Sequence, residues 1–276
     1  MSRRNRKYLW KLFLTKWSNK DDMYFSPPIL VGALGGSGTR AVATILRRSG
    51  VFMGNWVDAR TEDSQSFRVF LTRWFNHLLE EYFLENGNIS TEVATHFLDA
   101  VRVHRLGLSS GQLDIWGWKN PRNMWLLPFY VKFFPNLKFI HIVRDGRDMA
   151  LSTNNNLLNH SGDVILGPHW RNDLVYSQLE LWRVGNLYAR ENAINLLGER
   201  NYLLLKYEEI CQQPDASIAR LLSFIGLPAD TSLTSELSKL IVPSKRIGDG
   251  ADPIVSRAVS QNDAVRLALN SFGYDA

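Results

Sequence analysis

The stretch from Ile29 to Gly50, ILVGALGGSGTRAVATILRRSG, limits what this chain can fold into more than any other. Ile29, Leu30 and Val31 form a short apolar run behind Pro27 and Pro28. A run that short, bounded by Pro and Gly, predicts a buried strand. Gly35, Gly36 and Gly38 follow. Ala41, Val42, Ile45 and Leu46 then recur at helical spacing, with Arg47 and Arg48 in the last turn and Gly50 where a helix C-cap belongs. The pattern is strand, glycine loop, helix. Glycines let backbone N–H groups approach an anion closely, and the helix N-terminus adds a positive field. Ser37 and Thr39 add hydroxyls and Arg40 a fixed charge, so the stretch predicts an anion site rather than an ordinary tight connection. A nucleotide loop of the G-x-x-x-x-G-K-[ST] type needs a lysine for the terminal phosphates. Here Gly38 is followed by Thr39 and Arg40, and the absence of a lysine from the loop counts against ATP or GTP hydrolysis.

Strands and helices alternate downstream. Phe67, Phe70, Leu71, Trp74, Phe75, Leu78 and Leu79 recur at three and four, which predicts an amphipathic helix broken at Asn86-Gly87-Asn88. Ser90 or Thr91 caps a second, with Val93, Ala94, Phe97, Leu98 and Val101 on one face. The two helices form an insertion after the first βα unit. Ile115 to Lys119 reads as the second strand, followed by a helix from Arg122 or Asn123 through Phe134. Leu137 to Val143 is the clearest strand, with Arg144 at its end and a helix through Ser152. The segment 154–171 reads as a long loop, 174–197 as a long helix and 202–206 as another buried strand. Pro214 starts a helix through Ile225, ended by Gly226, and the tail from Pro243 is polar. Strands alternating with helices call for a parallel sheet with right-handed crossovers, in which ligands bind beyond the carboxyl ends of the strands. The glycine loop, Lys119 and Arg144 each stand at such an end, a second sign of a polyanionic ligand.

At 276 residues, with 45% hydrophobic and 21% charged residues, the chain is an ordinary globular protein, read as a basic segment 1–24 followed by one α/β domain 25–276. The net charge of +5 is concentrated at Arg3, Arg4, Arg6, Lys7, Lys11, Lys16 and Lys20, so nucleic-acid binding by the whole surface is not expected. No stretch approaches the ~20 apolar residues of a membrane span. Tyr8 to Trp17 is a short basic amphipathic segment, expected to dock on the domain, with weak membrane-surface association through residues 3–20 as the alternative. Cys211 is the one cysteine, which fits a reducing, cytoplasmic setting. No Cys/His cluster suggests a metal. His141, central in a hydrophobic strand, reads as a satisfied core histidine.

FIHIVRDGRDMALS, together with the SGTR loop, the WKNP segment and LLLKYEEI, resembles the sulfotransferases that use 3′-phosphoadenosine 5′-phosphosulfate (PAPS). The likeness runs from about Ile29 to Gly248 and is closest to the Golgi-type and bacterial carbohydrate and protein sulfotransferases. It implies a P-loop-like three-layer α/β fold, with a central parallel sheet flanked by helices, and sulfuryl transfer from PAPS to an acceptor hydroxyl, leaving 3′-phosphoadenosine 5′-phosphate (PAP). Gly36, Ser37, Gly38, Thr39 and Arg40 then match the cradle of the 5′-phosphosulfate. The family's basic residue before S-G-T is Gly36 here, which leaves Arg40 as the charge nearest that place. Arg144 and Ser152, eight residues apart, match the 3′-phosphate site. Tyr207 matches the tyrosine beside the adenine, and Arg246 partly matches a C-terminal phosphate-holding segment.

Lys119 of WKNP matches the family's lysine that neutralises the leaving phosphate oxygen. Golgi-type members use a glutamate soon after the first helix as base. Asp58, Glu62 and Asp63 occupy that region, with Glu62, and Asp63 beside it, as the expected base. The acceptor is expected to be a small molecule or glycan, a carbohydrate first. Trp56, Trp74 and Trp170 are placed either to stack a sugar or to fill the core. Two rival readings use the same strand–loop–helix: a nucleotide kinase or NTPase, and a non-catalytic nucleotide-binding protein. Nothing in the residues speaks to oligomeric state.

Overall fold

The computed structural model describes residues 26–84, 89–108 and 115–275. The basic N-terminal segment and the Asn86-Gly87-Asn88 break lie outside the described residues. Four strands form one sheet, β1 (Ile29–Ala33), β2 (Gly117–Lys119), β3 (Lys138–Val143) and β4 (Tyr202–Lys206), in the order β2-β1-β3-β4. Every pairing is parallel, with Val31 opposite Lys119, Ala33 opposite Ile142, and Val143 opposite Lys206. All four carboxyl ends therefore meet along one edge. The order reverses direction between β1 and β3, the position at which open parallel sheets leave a crevice for ligands.

Both faces of the sheet are covered, as continuous apolar strands require. On one face Ile29, Val31, Ala33, Ile140, Ile142 and Leu205 pack on helix α1 (Thr39–Arg48) and later helices. On the other, Leu30, Trp118, Phe139 and Val143 join an aromatic core with α2 (Gln65–Leu79) and α3 (Thr91–Arg105), the expected helical insertion. Phe67 of α2 stacks on Trp118, centroids 4.0 Å apart, and Phe97 of α3 tilts against Phe67 at 6.0 Å. Helix α2 continues as a π-helical turn, Glu80–Leu84. Ser90 caps α3 by accepting from the Val93 N–H.

Several elements differ from the sequence reading. The expected helix through Phe134 is a 3₁₀ turn, Pro121–Trp125, and one short helix, α4 (Leu127–Tyr130). Asn120 caps that turn, and the Asn123 amide turns back to the Val31 carbonyl at 3.0 Å, tying the segment to the sheet. The helix after Arg144, α5 (Gly146–Ala150), stops before Ser152. The supposed long loop contains α6 (Asn156–Leu166). Its buried face includes Ser161 and Gly162, which carry no apolar period, and Trp170 occupies the space a Gly162 side chain would need. The long helix α7 (Leu174–Leu197) is as expected. After β4 come α8 (Tyr207–Gln212), α9 (Pro214–Ile225) and α10 (Thr231–Ser238), with Gly226 ending α9 at φ 82°. The tail folds into α11 (Pro253–Ser260) and α12 (Asp263–Ser271), each opened by a side-chain cap. Their sparse apolar residues Val255, Val259, Val265 and Leu269 are all buried. Among the described residues no helix is long and apolar enough to cross a membrane.

Candidate active site

The glycine loop leaves β1 at Leu34 and enters α1 at Thr39. Gly38 takes φ 87°, and the Tyr207 ring lies where its Cβ would be, 2.5 Å from Cδ2, so only glycine fits. No side chain caps α1 and no acidic residue stands in its first turn. Its first N–H groups thus face outward without a carboxylate, as an anion site requires. Gly36, at φ 99°, borders open space. Ser37 is buried and donates to the Met149 sulfur at 3.4 Å, while Arg40 is exposed and donates to the Arg60 carbonyl at 3.2 Å.

A cleft of about 1160 Å³ runs from this loop across the strand ends. Lys119 reaches it from β2, only 3% exposed. Its Nζ donates to Asp63 Oδ1 at 2.8 Å and to the Thr61 carbonyl at 2.9 Å. Burial pushes the Lys119 pKa down, and the adjacent Asp63 carboxylate opposes that shift. Asp58 is also on the cleft wall, but accepts from the Arg60 and Thr61 N–H groups, the Arg60 bond being the main cause of its lowered pKa. Glu62 sits elsewhere. Its backbone takes φ 61°, and its carboxylate clasps Arg47 of α1 at 3.1 Å, outside the cleft lining. Of the two residues expected to share the base role, the cleft receives Asp63.

Arg144 follows β3 into the crevice beside β1. Its Nη1 donates to the Gly36 carbonyl at 3.4 Å and its Nη2 to the Arg246 carbonyl at 2.8 Å. The guanidinium lies over the Tyr207 ring at 5.1 Å, and its buried Nε has no hydrogen-bond partner among the described residues. The carboxylate nearest it is Asp148, at 3.5 Å and equally buried, whereas Asp145 pairs with Arg147 at 2.7 Å. Asp148 also accepts from the Gly248 N–H at 3.0 Å and the Gly250 N–H at 2.9 Å, so it fastens the C-terminal segment to Arg144. Its hold on the C-terminal segment was missed in the sequence, where no local spacing signals a contact across 100 residues. Tyr207 accepts from the Ser244 N–H at 2.8 Å. Ser152 lines the cleft from beyond the end of α5, beside Asn154. Arg246 is exposed and held by Asp249 and the Leu151 carbonyl; its backbone, not its side chain, meets Arg144.

His141 is a core residue, bridged by the Tyr202 hydroxyl and Asn186 at 3.0 Å each, and burial lowers its pKa to about 4. His104 is likewise held by the Ser64 hydroxyl and the Gly117 carbonyl, with burial lowering it to about 4. Trp170 is in the core, and Trp56, Trp74 and Trp170 are all absent from the cleft wall, which Trp125 and Trp182 border instead. Among the described residues no group of His, Cys, Asp or Glu could hold a metal.

The sequence profile of the sulfotransferase family matches residues 27–231, most of the chain and all four strands. The chain belongs to the sulfotransferase family. By that membership it is an enzyme of sulfuryl transfer. Solved sulfotransferases share its fold. One from Mycobacterium avium aligns with a TM-score of 0.58 at 11% identity, covering 96% of this chain and 81% of that one. The sulfotransferase domain from the curacin biosynthetic pathway gives 0.54 at 12%, covering 91% and 99%. That of the Synechococcus PCC 7002 olefin synthase gives 0.52 at 16%, covering 94% and 99%. At these identities the likeness is one of fold. No curated protein matches the sequence.

Proposed function

We propose that this sulfotransferase acts on a hydroxyl of a carbohydrate acceptor, with Asp63 as base and Lys119 as the charge that stabilises the leaving group. The observation that carries the reading is the 2.8 Å contact between Lys119 and Asp63, in one cleft with the uncapped N-terminus of α1 and the buried Arg144. The acceptor oxygen bonds to sulfur as the bond from sulfur to the phosphate oxygen breaks in line. Asp63 takes the hydroxyl proton, and Lys119 turns to the phosphate oxygen that gains charge. The loop backbone from Gly36 to Gly38, with Ser37, Thr39 and Arg40, holds the 5′ end of the nucleotide. Arg144 and Ser152 hold its 3′-phosphate, and the unpartnered Arg144 Nε fits an anion there. Tyr207 lies beside the adenine, and Arg246 contributes its backbone to the position of Arg144.

The carbohydrate assignment rests on the wall away from the glycine loop. Thr72, Asn76, Ser161 and Gln178 make it polar, with Ser161 donating to Asn76 and Asn76 to the His160 carbonyl, a wall of hydrogen-bonding groups of the kind that meets hydroxyls. A cytoplasmic setting fits the free, half-buried Cys211. The test is turnover of labelled PAPS against a panel of saccharides, after PAP, ATP and ADP have been compared as thermal stabilisers. Stabilisation by PAP above ATP, with label transferred to a saccharide, supports the reading; label transferred only to phenols or lipophilic alcohols rejects the carbohydrate, and equal stabilisation by ATP rejects the site.

A further inference from the structure

The acceptor side of the cleft carries a cation that the transfer chemistry does not use. Arg122 follows Lys119 by three residues and sits in the 3₁₀ turn capped by Asn120. Its guanidinium carbon lies over the Phe75 ring of α2, 4.8 Å from the centroid, and the side chain lines the cleft. The side chain is partly buried, yet it makes no ion pair and no hydrogen bond among the described residues. Every other arginine of this wall is engaged or exposed. Arg68 lies 3.6 Å from Asp58, Arg73 pairs with Glu92 at 2.7 Å, and Arg60 is exposed. The charged groups that act on Arg122 are Asp63, the residue proposed as base, and Arg68, and the ring beneath it belongs to α2.

The charge balance points the same way. Among the described residues the cleft wall holds seven Lys and Arg side chains, Arg40, Arg60, Arg68, Arg73, Lys119, Arg122 and Arg144, against two carboxylates, Asp58 and Asp63. Asp63 is taken by Lys119, and Asp58 by backbone N–H groups and Arg68. Phosphates at the glycine loop and Arg144 would neutralise the nucleotide half and leave the α2 half cationic. A guanidinium over an aromatic ring, with no protein oxygen bound to it, keeps its N–H fork for an oxyanion, which the fork can receive through two parallel bonds. Partly removed from bulk water and without an ion pair of its own, it gains more from such a group than a fully exposed arginine would.

We propose that Arg122 is the specificity residue for an anionic acceptor: the molecule that receives the sulfuryl group carries a carboxylate or sulfate close to the reacting hydroxyl, and Arg122 binds that group. The proposal rests on the sulfotransferase reading of the same cleft and adds the charge class of the acceptor. It predicts that neutral hydroxyl compounds of the same shape are poor acceptors and that high salt weakens acceptor binding more than a neutral site would allow.

The test uses the full-length protein with saturating nucleotide and matched compounds that differ only in one anionic group. Glucuronides are set against glucosides, sulfated against unsulfated saccharides, and hydroxyaryl carboxylates against their carboxamides. Binding to the PAP complex and turnover with PAPS are both read. The wild type should prefer the anionic member of a pair by at least about tenfold in Kd or kcat/KM, the scale of one charge-assisted bond. Arg122→Gln should erase that preference while PAP binds as in the wild type, and Arg122→Lys should restore part of it. A preference shown by carboxylates alone or by sulfates alone identifies the anion. Equal use of neutral and anionic members, failure of the PAP complex to bind any anionic compound, or a parallel loss of PAP affinity in Arg122→Gln overturns the proposal. Failure of the wild type to bind PAP would instead overturn the sulfotransferase reading beneath it.

Discussion

Lys119 Nζ stands 2.8 Å from the Asp63 carboxylate, across 56 residues of chain. The helical insertion between them folds back so that the end of β2 meets the loop that leaves α1. A buried lysine needs a counter-charge, and this one has it at the place where the transfer is proposed.

Asp63→Asn should lower kcat by roughly 10²–10⁴-fold, the usual contribution of a positioned base, while PAP still binds. Glu62→Gln provides the contrast. It removes a partly exposed pair with Arg47 worth at most about 1 kcal/mol, and should lower the melting temperature slightly with kcat unchanged. Steady-state kinetics on both variants decide between the carboxylates. A larger kcat loss in the Glu62 variant would move the base out of the cleft as described.

Arg144→Ala should remove the stabilisation by PAP. For the wild type, PAP at 100 times its Kd adds ~2.7 kcal/mol, visible as a melting shift. An equal PAP shift in the variant would separate Arg144 from the nucleotide.

Asp148→Asn tests the C-terminal fastening. The carboxylate holds the Gly248 and Gly250 N–H groups and flanks Arg144, and charge-assisted bonds of this kind are worth ~1.5–3 kcal/mol. Hydrogen exchange at Gly248 and Gly250 should accelerate and PAP affinity should fall. Unchanged exchange at both amides would refute the fastening.

Gly38→Ala should cost more than 1 kcal/mol of stability and weaken PAP binding together. The added methyl meets the Tyr207 ring, at a backbone φ of 87° that alanine disfavours. Urea unfolding and PAP titration measure the two effects; a neutral change in both would mean that the ring moves aside freely.

Acid should destabilise the protein before its carboxylates titrate. His104 and His141 have folded pKa values of about 4 against 6.5 unexposed to such burial. The unfolded chain binds their protons first, so their contribution to stability is complete above pH 6.5 and is lost as pH falls towards 4. Between pH 6.5 and 5, the protons that unfolding takes up through this pair should rise from about one to nearly two, a slope growing from ~1.4 to ~2.4 kcal/mol per pH unit. A flat stability profile across that range would show that one or both rings are charged in the fold.

The glycine loop, Lys119 and Arg144 were legible because each marks the carboxyl end of an apolar strand, and the period of a strand lies in adjacent residues. Helix α7 and the cap of α9 were legible for the same local reason. Helix α6 was not, because Ser161 and Gly162 serve its buried face and only the packing of Trp170 gives them that role. Nor were α11 and α12, whose few apolar residues gain meaning from the core they reach.

The sequence by itself determined the parallel α/β class, the glycine loop between β1 and α1 and the cations at the strand ends, since hydrophobic period and glycine placement act over a few residues. Tertiary structure alone decided which carboxylate faces Lys119. Glu62 and Asp63 are neighbours of the same charge, and the left-handed backbone at Glu62 sends one to Arg47 on α1 and leaves the other to the cleft. It also decided that Asp148 ties Arg144 to a segment 100 residues later, and that Arg122 lies on Phe75 with no ion pair among the described residues. Such pairings depend on long-range closure of the chain, which no local spacing encodes.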